Sequence, residues 1–142
     1  MDDKQKQMIE VLQQGLQDEM NSAYNYIALA GKYGNGAIKT DFLNYASDEL
    51  NHASKLVRML QQFDAEVEEI PVTADEMDDL YLYLIEYMAR EESAVFYYEA
   101  LEKLVQEPGM QRMCKEMQGE EQVHLHKMKE LYQRVKEQNC YA

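Results

Sequence analysis

Residues 41–63 read DFLNYASDELNHASKLVRMLQQF. Steps of three and four along this stretch pick out Phe42, Tyr45, Glu49, His52, Leu56, Met59 and Phe63, the spacing that lines one face of an α-helix. The stripe is apolar except at its centre, so Glu49 and His52 point to where a core should be. Three residues apart on one helical face, a carboxylate and an imidazole project side by side and reach the same small object. A metal ion is the object they suit.

The same pattern appears upstream. From about residue 2 to 31 the seam runs Ile9, Leu12, Leu16, Glu19, Ala23, Tyr26, Ala30 and Tyr33, again with a single glutamate, Glu19, in an apolar row. The glycines of GKYGNG (Gly31, Gly34, Gly36) are expected to stop this helix and turn the chain into a second one over 37–63. Downstream, the acidic stretch 64–73 holds Pro71, and Thr73-Ala-Asp-Glu76 reads as a capping box, which predicts a linker and then a third helix over 74–106. About ten extended residues span roughly 33 Å, enough to carry the chain from one end of a helical bundle to the other. Pro108-Gly109 separates the third helix from a fourth over 109–138. No stretch alternates with the period of two that marks a strand. The expectation is an all-α single domain over residues 1–142, a four-helix bundle with short, long and short connections.

Displacing the chain against itself by 72 residues superposes its halves without a gap: Glu19 falls on Glu91, Tyr26 on Tyr98, Glu49 on Glu121 and His52 on His124. Transferred by that offset, the third seam is Tyr81, Leu84, Met88, Glu91, Val95 and Tyr98, and the fourth is Cys114, Met117, Glu121, His124, Met128, Leu131 and Val135. Both are polar where the first half is polar. The offset also chooses Glu91 over Glu92 and Glu121 over Glu120 as the core-facing residues. A lone glutamate on a seam usually marks a helix end or a snorkelling side chain, and a lone core histidine is usually hydrogen-bonded structure. Six such residues recurring on four seams call for a common cause.

Four carboxylates and two imidazoles in a bundle interior would cost several kcal/mol per uncompensated ion, more than the margin of one domain tolerates. Protonation could compensate them through raised pKa values. Two divalent cations do so as well, neutralising four carboxylates and leaving both histidines neutral. Carboxylate and imidazole donors without thiolate suit iron or manganese, with zinc as an adventitious occupant. Cys114 and Cys140 form no Cys-x-x-Cys pair and read as free thiols. The net charge of −13 makes nucleic acid and anionic membrane surfaces poor partners, and neither is expected. With no apolar run of membrane-spanning length and no basic-then-apolar leader, a cytoplasmic protein is expected.

One Glu from each of two helices plus a Glu-x-x-His from each of the other two is the pattern of the ferritin-like di-iron carboxylate proteins. Here the single glutamates are Glu19 and Glu91, and the paired motifs are Glu49-Leu-Asn-His52 and Glu121-Gln-Val-His124. The chain resembles this superfamily over all four helices, and bacterioferritins and the helical domain of rubrerythrins most. The resemblance implies two irons, with Glu49 and Glu121 bridging and Glu19, His52, Glu91 and His124 terminal. It makes Tyr26 and Tyr98 phenols beside the centre; Asp48 and Glu120 are read either as carboxylates that hydrogen-bond the outer histidine nitrogens or as solvated surface acids. Tyr24, Phe96 and Tyr97 are expected to flank the centre, mainly as packing.

The sequence also departs from the families it resembles. Leu50 follows Glu49 where bacterioferritins carry a haem-ligating methionine, so no haem is expected. Ala94 stands where rubrerythrins carry an extra glutamate, and no Cys-x-x-Cys motifs supply a rubredoxin domain. Only four residues follow the expected end of the fourth helix, where 24-subunit cages usually have a fifth, so a smaller homo-oligomer, a dimer, is expected. The activity implied is oxidation of bound Fe(II) by O2 or H2O2, as a ferroxidase or a peroxidase with an external electron donor. The alternative is a non-catalytic bundle whose ions serve structure or storage.

Overall fold

The computed structural model describes residues 1–33 and 36–140, with the side chains of Asn139 and Cys140 excepted. Gly34 of the expected turn and the Cys140 thiol lie outside the described residues. Four helices follow in order: α1 (Asp3–Lys32), α2 (Gly36–Gln61), α3 (Leu80–Leu104) and α4 (Pro108–Cys140). Among the described residues there is no strand, and the architecture is an all-α four-helix bundle with one long crossover between α2 and α3. None of these helices is long and apolar enough to cross a membrane. By its contacts the chain divides into two compact units, Met1–Asp75 and Glu76–Ala142. Each unit is built on one helical hairpin.

In the first unit, Asp2 caps α1 in a box with Gln5: the Gln5 amide donates to Asp2 Oδ1 at 2.8 Å, and the Asp2 amide donates back to Gln5 Oε1. α1 ends within the GKYGNG run, one residue past Gly31 at Lys32, and the Tyr33 amide closes the last turn on the Leu29 carbonyl at 2.9 Å. Gly36 opens α2 at φ +25°, a backbone setting that glycine adopts at low cost. The core of the hairpin is the expected pair of seams, with Leu12, Leu16, Ala23, Tyr26, Phe42, Tyr45, Leu56 and Met59 all buried. Tyr26, Phe42 and Tyr45 meet pairwise with ring centroids 5.3–5.7 Å apart, a separation at which tilted and edge-on aromatic pairs attract.

α2 ends at Gln61, two residues before the expected boundary. Asp64 takes φ 52°, and the Ala65 amide reaches back to the Leu60 carbonyl while the Asp64 amide reaches Gln61. That is a Schellman stop with aspartate in the place usually held by glycine.

The crossover is longer than expected, because α3 starts at Leu80 rather than 74. The Thr73–Glu76 capping box does not form. Thr73 and Asp75 have their backbone groups taken by α1: the Thr73 amide donates to Asn21 Oδ1 at 3.0 Å, the Asp75 amide to Asn25 Oδ1 at 2.8 Å, and Asn25 Nδ2 donates to the Thr73 carbonyl at 2.9 Å. About two turns earlier on α1, Gln13 Nε2 donates to the Glu66 carbonyl and its Oε1 accepts from the Glu68 amide. The segment is thus strapped along α1 in extended form. The helix nucleates only where Asp79 is released to cap it, accepting from the Leu82 amide at 3.0 Å.

In the second unit, Pro108 is the first residue of α4 rather than part of a break before it, a position where its missing N–H costs nothing. Glu107 caps the helix by accepting from the Gly109 and Met110 amides, both at 2.8 Å, and those bonds hold its carboxyl below the usual carboxylate range. Leu84, Tyr98, Leu101, Cys114, Met117 and Met128 form the buried seams. Burial, reinforced by the nearby Glu102 carboxylate, pushes the Cys114 thiol up to about 12, so it is an inert core residue.

Candidate metal centre

Each hairpin carries one triad, and the sequence seams place it. In the first unit Glu19 comes from the middle of α1, and Glu49 and His52 come from one turn of α2. His52 Nδ1 lies 3.5 Å from Glu19 Oε2 and 3.9 Å from Glu49 Oε1. In the second unit Glu91 comes from α3, and Glu121 and His124 from α4. His124 Nδ1 lies 3.6 Å from Glu91 Oε1 and 3.5 Å from Glu121 Oε1. The sequence repeat is therefore also a repeat of geometry.

All six residues are buried, none more than 5 % exposed. Glu91 is 2 % exposed while Glu92 lies on the surface, so the register chosen by the offset is that of the structure. Burial pushes the Glu91 carboxyl up to about 8 against the pull of the His124 imidazole, and Glu121 adds to the rise. A carboxylate set of this kind favours either a proton or a cation.

The donor chemistry fits a divalent ion. Two donor atoms each about 2.1 Å from one metal lie roughly 3–3.5 Å apart in a tetrahedral or octahedral shell. The separations within each triad match that spacing or exceed it by a few tenths of an ångström, a gap that small side-chain rotations close. They are longer than a close N–H···O hydrogen bond. Each triad can therefore hold one ion through two carboxylates and one imidazole.

The neighbouring residues divide. Tyr26 and Tyr98 are buried at 1 % and 0 % exposure, as expected. Asp48 and Glu120 are half-buried. Tyr24 and Phe96, expected to flank the centre, are instead 48 % and 60 % exposed, because each lies two residues from its buried tyrosine and so falls on the opposite side of the helix. His126 is on the surface, 3.1 Å from Glu130.

Two groups of residues escaped the sequence reading. Asn21 and Asn25 hold the crossover, and their only signal is a pair of amides four residues apart beside the α1 seam. Tyr83 and Tyr87 are buried in α3, where Leu82, Ile85 and Phe96 are exposed and blur the apolar face. Tyr87 sits one turn before Glu91, with the Arg90 guanidinium 5.3 Å from its ring centre, a cation–π distance.

A four-helix bundle with a long crossover and a Glu, Glu-x-x-His set repeated in its halves defines the ferritin-like di-iron carboxylate class. The family model for Rubrerythrin matches residues 10–132, and the chain belongs to that family. The fold is similar to the bacterioferritin of Desulfovibrio desulfuricans, with a TM-score of 0.81 and 18 % identity over 95 % of this chain and 83 % of that one. It is also similar to a ferritin-like di-iron-carboxylate protein of Bacillus anthracis, with a TM-score of 0.79 and 21 % identity over 93 % and 99 % of the two chains. An open-pore ferritin of the archaeon Archaeoglobus fulgidus gives a TM-score of 0.73 at 14 % identity over 92 % and 84 %. No curated protein sequence matches the chain significantly.

Proposed function

We propose that the protein is a di-iron oxidoreductase that binds two Fe(II) ions and oxidises them with O2 or H2O2, in iron handling or in defence against peroxide. The observation that carries this reading is the pair of buried Glu, Glu, His triads at equivalent places in the repeat. Family membership and the fold shared with a bacterioferritin support it. Glu19 and His52 would hold one ion and Glu91 and His124 the other, and Glu49 and Glu121 would serve as the carboxylates common to both. Manganese or zinc would fit the same donors.

The iron pair, when bound, supplies the redox chemistry that reduces the oxidant. The chain supplies the rest. Four carboxylates balance the charge of two divalent ions, so no net charge is left in the interior. The Glu91 carboxyl, which holds a proton to about pH 8 without metal, releases it as an ion enters. The buried rings of Tyr26 and Tyr98, about two turns beyond Glu19 and Glu91 on the same helices, help to exclude water. The reading takes the cytoplasm as its compartment, a homodimer as its assembly and an external reductant as the means of turnover.

Rapid mixing of anaerobic, Fe(II)-loaded protein with O2 and separately with H2O2 tests it. A fast ultraviolet absorbance rise that saturates at two Fe(II) per chain is expected. An iron-binding protein that serves structure or storage alone would give only the slow rise of free Fe(II), and that result would sink the enzymatic reading.

A further inference from the structure

Tyr81 in the first turn of α3 and Tyr132 in the last third of α4 lie face to face. Their ring centroids are 5.1 Å apart and the planes are within 24° of parallel. Their hydroxyl oxygens are 3.0 Å apart, and either can be the donor. Both side chains are half-buried. We propose that this pair is an oxidative cross-linking site, at which one-electron oxidants derived from hydrogen peroxide join the two phenols into a dityrosine.

The geometry favours coupling between these two phenols. A phenoxyl radical carries its spin on oxygen and on the ring carbons beside the C–O bond. Stacked rings with touching hydroxyls bring those ortho carbons of the two residues towards each other. Tyr97 and Tyr98 meet edge-on at 80°, and Tyr26 and Tyr45 at 65°, so their ring faces do not overlap in this way. Both partners are also held on helices, and an encounter that two free phenols would have to find by diffusion is already made.

The chemistry balances. Each phenol loses one electron and its hydroxyl proton, and the two radicals form a carbon–carbon bond between ortho positions. The two ortho hydrogens then move to the oxygens as the rings regain aromaticity. The net loss is two electrons and two protons, which reduce one H2O2 to two water molecules. Half-exposure gives the protons a path to solvent.

The site is distinct from the triad of its own unit. Tyr81 precedes Glu91 by ten residues and Tyr132 follows His124 by eight, about 15 Å and 12 Å along their helices. The product would tie the start of α3 to the far part of α4 and spend oxidising equivalents away from the metal ligands. Only the cellular source of oxidant rests on the function proposed above; the reactivity of the pair does not.

Two arms separate these points. In the first, dilute metal-free protein is treated with a photogenerated one-electron oxidant, a ruthenium tris-bipyridyl complex with persulfate, then digested and analysed by mass spectrometry. The Tyr81–Tyr132 cross-linked peptide, two hydrogens lighter than its parts, should be the main intrachain dityrosine, and Tyr81→Phe and Tyr132→Phe should each abolish it. Oxidation at other tyrosines without this product, or dityrosine fluorescence undiminished in Tyr81→Phe, would overturn the proposal. In the second arm, Fe(II)-loaded protein receives H2O2. The same peptide supports both proposals. Its absence there, with the first arm positive, leaves the pair established and counts against the metal centre as the source of oxidant.

Discussion

At the scale of single residues, burial separates groups that composition cannot. Glu91 and Glu92 are adjacent and chemically identical, yet one is 2 % exposed and the other is on the surface. Loss of a proposed bridging carboxylate removes a ligand from both ions, so Glu121→Ala should lower binding from two ions to one or none in calorimetric titration with Fe(II) or Mn(II). Glu92→Ala should keep two, and loss of an ion in that variant would move the assignment on α3. Asn25 is a different kind of buried polar residue, 2 % exposed with its amide committed to Asn21, Thr73 and Asp75. Asn25→Ala removes two bonds to the crossover and strands a backbone carbonyl and an amide. A loss of about 2–3 kcal/mol is expected, read by denaturant unfolding of the metal-free protein. The freed segment near residue 73 should also become more sensitive to proteolysis.

At the scale of elements, α3 shows how a local signal yields to a distant one. Thr73 to Glu76 has the composition of a helix start, but the Thr73 and Asp75 amides are already bonded to Asn21 and Asn25 of α1, and the residues that would form the first turn stay non-helical. Asp79 then becomes the cap. Asp79→Ala should cost about 1 kcal/mol in unfolding free energy, whereas Thr73→Ala should change stability by less than about 0.5 kcal/mol, since only the Thr73 backbone is used. Equal costs for the two would mean that the cap at Asp79 contributes nothing specific. The same substitution pair, read by helical circular dichroism, distinguishes loss of the first turn from general unfolding.

For the whole molecule, stability is linked to protons and metal through the buried carboxylates. Glu91 titrates near 8 when folded against an ordinary 4.5. Between those values the native state keeps a proton that the unfolded chain has released, so its contribution to stability is present below about pH 4.5 and is lost as pH rises towards 8. Metal-free protein should therefore lose stability from this group between pH 5 and pH 8. A bound cation replaces the proton, and binding to the native state alone adds about 2.7 kcal/mol at a hundredfold excess over Kd. Thermal melts with and without Mn(II) should show a Tm gain of several degrees at pH 7 that shrinks at pH 5, where protons compete for the same oxygens and nitrogens. No gain at pH 7 with saturating metal would count heavily against a buried site.

The sequence by itself determined the helical class, the seams and their repeat. Core-facing polar residues at a helical period show in a single chain, because burial of charge is rare enough that recurrence at Glu19, Glu49, His52, Glu91, Glu121 and His124 has few explanations. Register followed as well: once the halves are superposed, Glu91 and Glu121 are chosen over their neighbours without coordinates. Only the tertiary structure decided where α3 begins and that Tyr81 stacks on Tyr132. Each of these depends on a partner distant in sequence. Asn25 meets Thr73 across 48 positions and Tyr81 meets Tyr132 across 51. Local propensity and periodicity report on bonds within a few residues, and those longer bonds exist only once the hairpins and the crossover have folded.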